Sequence, residues 1–167
     1  MGRGVKKSTI LIAIIVVVLV VIIAVASSIH RGSVSSDSTK LVVKYQGEQV
    51  AEYTIEELTK LESETVYCEM TSGKGNPVSN DYTGVMAAVL AEENGVGEYT
   101  TITFTAADGY SSAGEASEAD TVMVAYECDG EMLKAYADGG VGPLRCVFTE
   151  DTFGSRSIMN VTSIDFQ

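Results

Sequence analysis

The chain has 167 residues, of which 11 are basic and 23 acidic, and its formal net charge is −12. All the acidic residues follow Ser36, and eight basic residues follow the apolar run described below. The C-terminal part therefore carries a charge of −15 and should repel nucleic acid and anionic lipid, which excludes nucleic-acid binding. The only histidine is His30, which excludes a Ser-His-Asp triad and nearly all histidine metal sites from the folded part.

An apolar run dominates the N-terminal region. Ile10 to Val25 are sixteen consecutive apolar residues preceded by three basic ones. A helix over residues 8–29 rises 1.5 Å per residue and is long enough to cross a hydrocarbon core of about 30 Å. The basic residues predict a cytoplasmic N-terminus. A cleaved signal peptide is the alternative, since Ala24-Val25-Ala26 has the small-x-small cleavage pattern. The predicted organisation is a cytoplasmic N-terminus (1–7), a transmembrane anchor or signal peptide (8–29), a Ser-rich linker (30–40) and an extracytoplasmic domain (41–167).

The domain that follows is predicted to be α+β, with mostly short strands and two helices. Thr54 and Glu57 form a capping-box pattern, in which each side chain accepts from the backbone of the other residue. Residues 71–81 are polar and contain Pro77, and we predict a long loop there. Alternation and turn residues predict the remaining elements: strands at 41–45, 49–53, 65–70, 100–105, 121–127, 144–148 and 157–166, helices at 55–61 and 85–94, and one acidic helical turn within 115–120.

Two features of the domain carry chemistry. The three cysteines are Cys68, Cys128 and Cys146, an odd number that leaves at least one thiol unpaired within the chain, and Cys128 and Cys146 could pair. The segment Gly139-Gly140-Val141-Gly142-Pro143-Leu144-Arg145 is rich in glycine. Its backbone N–H groups could hold an anion beside the fixed cation of Arg145. The other interpretation is a tight turn before a buried strand, with Arg145 paired to an acid.

Five segments, in order, resemble the molybdopterin-binding oxidoreductase domain of the sulfite oxidase superfamily. The similarity extends over Leu41 to Phe166. It implies a mixed-sheet α+β fold and a molybdenum cofactor. The matching segments are Tyr53-Thr54-Ile55-Glu56-Glu57-Leu58, Tyr82-Thr83-Gly84-Val85, Thr103 to Tyr110, Gly140-Val141-Gly142-Pro143-Leu144-Arg145, and Phe153 to Val161.

The resemblance also assigns roles to residues. Cys68 stands roughly where members of the family carry the cysteine that binds molybdenum, so it becomes the candidate metal ligand and catalytic residue. Its alternative role is a small buried residue on a strand. The candidate pterin-binding residues are Lys74, Tyr82, Asp108, Gly140, Gly142, Arg145 and Arg156. Alternative roles for three of them are a core or pocket-rim aromatic (Tyr82), a turn former (Asp108) and a surface salt bridge (Arg156).

Departures from the family pattern decide the expected function. The pocket-lining His and Arg residues of full members have no counterparts here, Met159 stands at a basic position of the last motif, and the domain is short. We expect a reduced, membrane-tethered relative that binds a small ligand or partner without the metal. A molybdenum oxidoreductase using Cys68 and a structural surface protein without a ligand are the alternatives. The expected partners are the membrane, through the N-terminal helix, and a redox partner at the membrane or surface.

Overall fold

A computed structural model describes residues 39–72 and 74–167. The predicted N-terminus, anchor or signal peptide, and most of the linker lie outside these residues. Within the described ranges, no helix has the length and apolar character needed to cross a membrane.

The described residues form eleven strands, two short helices and two 3-10 turns. The predicted capping box is confirmed: Thr54 Oγ1 accepts from the Glu57 N–H at 3.2 Å, and Glu57 Oε2 accepts from the Thr54 N–H at 2.8 Å. The elements in chain order are β1 Lys40–Tyr45, β2 Glu48–Thr54, α1 Ile55–Leu58, β3 Glu64–Thr71, β4 Pro77–Met86, α2 Ala87–Glu93, β5 Thr101–Ala106, β6 Ser111–Glu115, a 3-10 turn Ala116–Glu118, β7 Val122–Cys128, β8 Glu131–Met132, a 3-10 turn Tyr136–Asp138, β9 Arg145–Phe148, β10 Ile158–Met159 and β11 Val161–Phe166.

The first sheet is mixed, and the two ends of the domain meet in its centre. Its strand order is β2-β1-β11-β5-β6. Strands β1 and β11 run parallel, with Val42 opposite Ser163, whereas the other pairs are antiparallel. The inward residues of these strands, such as Val43 and Ile164, are fully buried.

The second sheet is antiparallel and carries buried residues on both faces. Its order is β10-β9-β7-β4-β3, with β8 added to β7. One face packs on the first sheet and on both helices, and Phe148 meets Phe104 there at a ring-centroid distance of 6.1 Å. The opposite face carries a separate buried cluster, which consists of Cys68, Met70, Tyr82, Met86, Met123, Ala125 and Val147. The mixed, sheet-dominated domain expected from the sequence is therefore confirmed, with less helix than predicted.

Two predicted boundaries were wrong. The loop predicted at 71–81 shortens to 72–76, because β4 already begins at Pro77. Proline is tolerated at the first residue of a strand, and the polar residues of this strand end are largely exposed. The single strand predicted at 157–166 is divided at Asn160, whose φ of 53° turns the chain out of the second sheet into the first.

Candidate functional site

Cys68, Tyr82, Cys128 and Arg145 meet on the second buried face of the antiparallel sheet, and we call these four residues the Cys68 cluster. They come from β3, β4, β7 and β9 in turn. Tyr82 pairs directly with Cys128 across β4 and β7. Next along the strands, Thr83 pairs with Glu127 and Gly84 pairs with Ala125, so Tyr126 has no partner on β4 and forms a bulge. This bulge turns Cys128 onto the face of Tyr82, as bulges commonly re-aim the side chain that follows them.

The Arg145 guanidinium lies above the Tyr82 ring, at 5.3 Å from its centroid. Its Nε is buried and has no hydrogen-bond partner among the described residues. A buried donor without a partner loses its hydration and gains nothing in return, so Arg145 is held here at a cost in stability. The alternative interpretation paired Arg145 with an acid, and the described part of the chain contains no such ion pair.

The thiol of Cys68 is covered by protein, since the residue is 1% exposed. Burial raises the pKa of Cys68; the positive charge of Arg145 lowers it by a smaller amount, and Asp81 raises it further. Burial likewise raises the pKa of Tyr82. The site therefore favours the protonated thiol, although a metal ligand or nucleophile requires the thiolate.

The other two cysteines lie on opposite faces of the sheet. Cys128 is the half-buried member of the Cys68 cluster, whereas Cys146 is fully buried in the core between the sheets. All three thiols are free, so the disulfide considered between Cys128 and Cys146 does not form. Burial and the neighbouring carboxylate of Asp129 raise the pKa of Cys128.

In the glycine-rich loop, the N–H groups of Gly140 and Gly142, which were expected to hold an anion, are bonded within the chain. Gly140 N–H donates to the Ala135 carbonyl at 2.9 Å, and Gly142 N–H donates to the Lys134 carbonyl at 3.0 Å. A Cβ on Gly140 would lie 2.0 Å from the Lys134 oxygen, and one on Gly142 would lie 2.4 Å from the Asn160 Cβ. The glycines thus allow two backbones to pack closely.

Arg156, which the resemblance assigned to the pterin, does not join the Cys68 cluster. Its Nη2 lies 2.8 Å from Glu118 Oε1, and its Nε donates to Asp151 Oδ2 at 2.9 Å. The guanidinium also stacks 4.1 Å above the Phe148 ring, which belongs to the core between the sheets. The salt-bridge alternative for Arg156 is the one observed, and these carboxylates raise the pKa of the guanidinium further.

Lys74 and Asp108 lie elsewhere. Lys74 is exposed in the short turn between β3 and β4. Asp108 accepts the Tyr110 N–H at 2.9 Å in the turn between β5 and β6, which belongs to the other sheet. Of the residues proposed from the sequence, the structure brings together Cys68, Tyr82 and Arg145. It adds Cys128, which the sequence marked only as a candidate for a disulfide, because the bulge that re-aims it depends on strand register.

These residues do not fit a molybdenum cofactor. Cys68 is 1% exposed, and its thiol makes a weak contact of 3.7 Å with the Val66 carbonyl. A pterin phosphate requires several cationic or N–H donors, but the N–H groups of Gly140 and Gly142 and the Arg156 guanidinium are bonded within the chain. No group of three or more His, Cys, Asp or Glu residues in the described ranges could hold a metal ion.

The fold is similar to that of a solved oxidoreductase. The sulfane dehydrogenase SoxCD from Paracoccus pantotrophus matches with a TM-score of 0.62 at 20% identity, over 80% of this chain and 39% of the SoxCD chain. The chain thus spans well under half the length of that structure. No curated protein sequence matches significantly. The sequence profile described as the oxidoreductase molybdopterin binding domain matches residues 29–167, and the chain belongs to this family.

Proposed function

We propose that this chain is a reduced member of the family, which acts as an extracytoplasmic binding module without molybdenum on Cys68. The observation that carries the proposal is the burial of Cys68. This residue is 1% exposed and belongs to the buried cluster on the second face of the antiparallel sheet. Molybdenum would need an open position beside that sulfur. Opening one would require the packed side chains around Cys68 to move apart.

The charge of the domain supports the same function. The cofactor is anionic, whereas the part of the chain after the apolar run carries a charge of −15. Arg145 is the one candidate donor of the Cys68 cluster that retains an unpaired buried nitrogen. A lone guanidinium supplies at most two parallel hydrogen bonds to one phosphate, which is fewer than a pterin and its phosphate need.

Tethering is the second part of the proposal. Ile10 to Val25 supply an uncharged apolar segment preceded by basic residues, which supports a single-pass anchor with the domain outside the cytoplasm. A protease added to intact cells tests this topology, since it should remove the domain and leave the N-terminal peptide. Loss of the segment 8–29 from the mature chain would make the protein secreted instead.

Elemental analysis tests the absence of the metal. The full chain is purified from a host that makes the molybdenum cofactor, together with Cys68→Ser and, as a matched control, Cys146→Ser. We expect far less than one molybdenum atom per chain in all three proteins, with unchanged circular dichroism. Near one atom per chain in the parent and in Cys146→Ser, but none in Cys68→Ser, would overturn the proposal.

That second pattern would establish the alternative function, a molybdenum-dependent oxidoreductase. Family membership and the unpaired Arg145 Nε beside Cys68 favour it. In that case Cys68 would supply the metal ligand, and Arg145 and Tyr82 would border the cofactor. The bound group would supply redox chemistry at the metal, while the chain's own residues would bind and orient it.

A further inference from the structure

Strand β3 is a long edge strand. It spans Glu64–Thr71 at the end of the antiparallel sheet and pairs on one side with β4, in an unbroken register from Glu64 opposite Gly84 to Thr71 opposite Pro77. An edge strand presents a row of backbone donors and acceptors to its surroundings. The residues of β3 whose backbone groups point outward determine what this edge can bind.

The hydrogen bonds at the end of the hairpin identify the outward groups. Ser72 N–H donates to the Asn76 carbonyl across the turn, so the even-numbered residues of β3 are bonded toward β4. Thr71 points the other way, since its N–H donates to the Thr152 carbonyl and its carbonyl accepts from Gly154 N–H. By alternation, the backbones of Thr65, Tyr67 and Glu69 also point outward. Among the described residues none of these three has a backbone partner on that side.

The β3 edge lacks most of the features that block edge pairing. It contains no proline or lysine, and its register shows no bulge. The other edges differ: β2 has a register shift opposite β1, β10 has two residues, and β6 has five. The pairing of Thr71 with the segment that carries Phe153 shows that this edge accepts a parallel strand at one position.

Charge determines the kind of strand that would add. Tyr67 is 62% exposed at the centre of the edge, and Asp81 lies opposite it on β4. Glu69 lies on the same face of β3 as Tyr67, Glu64 lies on the other face, and β3 and β4 contain no basic residue. A second copy would place its own glutamates against these, which is unfavourable. A segment with lysine or arginine at alternate positions would be attracted.

We propose that the β3 edge binds an extended, basic segment of a partner protein as an added strand. The segment pairs with the outward backbones of Thr65, Tyr67 and Glu69, and its length is limited by the loop residues that already occupy Thr71. Main-chain hydrogen bonds supply affinity in this mode, and side chains at alternate positions supply specificity. The proposal concerns the outward backbone groups of β3 and not the buried side chain of Cys68 on the same strand, so the metal content of the protein does not test it.

Residue-resolved amide exchange of the full chain in detergent micelles is the first measurement. The outward amides of Thr65, Tyr67 and Glu69 should exchange fast in the free protein, while those of Val66 and Cys68 exchange slowly. An octapeptide of alternating lysine and valine should slow the three outward amides. The matched octapeptide of glutamate and valine should leave them unchanged.

Two variants test the binding itself. Tyr67→Pro removes an outward donor at a position where an edge strand tolerates proline, and should weaken binding of the basic octapeptide about tenfold. Glu69→Lys keeps every backbone group and should weaken binding by electrostatic repulsion, an effect that salt reduces. Glu92→Lys, on the exposed side of α2, is the charge-matched control and should bind like the parent.

Three outcomes would overturn the proposal. Slow exchange of the outward amides in the free chain would mean that another segment or a second copy already covers the edge. Equal binding of the acidic and basic octapeptides would refute the charge argument. Equal weakening by Glu69→Lys and Glu92→Lys would place the octapeptide elsewhere on the acidic surface.

Discussion

Three glycines of one loop allow backbone strain and steric contact to be separated. Gly139 has a φ of 76° and nothing within 4 Å of an added Cβ. At Gly140, φ lies outside the left-handed region, but a Cβ would lie 2.0 Å from the Lys134 oxygen. Gly142 has both problems, with a φ of 98° and a Cβ 2.4 Å from that of Asn160. Gly139→Ala therefore tests backbone strain alone, Gly140→Ala tests steric contact alone, and Gly142→Ala tests both effects together.

The expected losses follow from these distances. Gly139→Ala should lower the free energy of unfolding by about 1 kcal/mol, the cost of placing an ordinary residue in the left-handed region. Since real Cβ contacts are almost never under 3.0 Å, Gly140→Ala must displace backbone by about 1 Å. Overpacking and weakened hydrogen bonds to Lys134 and Ala135 then cost about 3 kcal/mol. Gly142→Ala should cost about 4 kcal/mol, the sum of the two effects.

Urea unfolding of the full chain measures these differences. The eight tyrosines and the absence of tryptophan make near-ultraviolet circular dichroism of tyrosine the suitable probe. The parent should be the most stable protein, followed by Gly139→Ala, then Gly140→Ala, and last Gly142→Ala. The measurement is made with no ligand added. If Gly140→Ala were no less stable than Gly139→Ala, the loop would not pack as described, and its glycines would again be candidates for contacting a ligand.

Three further predictions concern ionisable groups. The Arg156 guanidinium lowers the pKa of Glu118 below its ordinary value of 4.5, so their interaction stabilises the fold above that pH and is lost as the pH falls through the lowered value. Glu118→Gln should remove this part of the acid dependence of unfolding, and an unchanged acid limb would contradict the pairing. Arg145→Met should raise the pKa of Cys68, measured by the pH dependence of its 13Cβ chemical shift, because a nearby positive charge is removed; a lower pKa would contradict the geometry. Cys146 should react with thiol reagents only at the rate of unfolding, since it is fully buried; fast modification in native buffer would contradict that.

Local signals predicted local structure well. The capping box of Thr54 and Glu57 needs only residues three apart, and it forms as expected. The alternation of residues 100–105 likewise predicted β5, which begins one residue later at Thr101. The order of the five motif segments predicted the family, which the profile match confirms.

The candidate site was harder to predict because its contacts join distant residues. Arg156 has an acid partner 38 residues away, and no spacing rule marks Glu118 as that partner. The N–H groups of the glycine-rich loop are bonded to carbonyls that lie before it in the chain, and composition alone cannot show this. Cys128 reaches Tyr82 only because one extra residue of β7 bulges, which is a property of register.

The parallel pairing of β1 with β11 has a consequence for how the domain acquires its structure. Strand β11 lies between β1 and β5 in the first sheet. The pairs β1-β2 and β5-β6 therefore cannot join into one sheet until Val161–Phe166 have been synthesised. The pairing that joins Val42 to Ser163 closes nearly the whole domain in one loop, and folding rates fall as contacts become more distant in sequence. We therefore expect slow, late folding, in which the hairpins form first and the last six-residue strand inserts between them. While the ribosome still holds residues 161–166, the first sheet stays incomplete, and the domain stays open to chaperones and proteases.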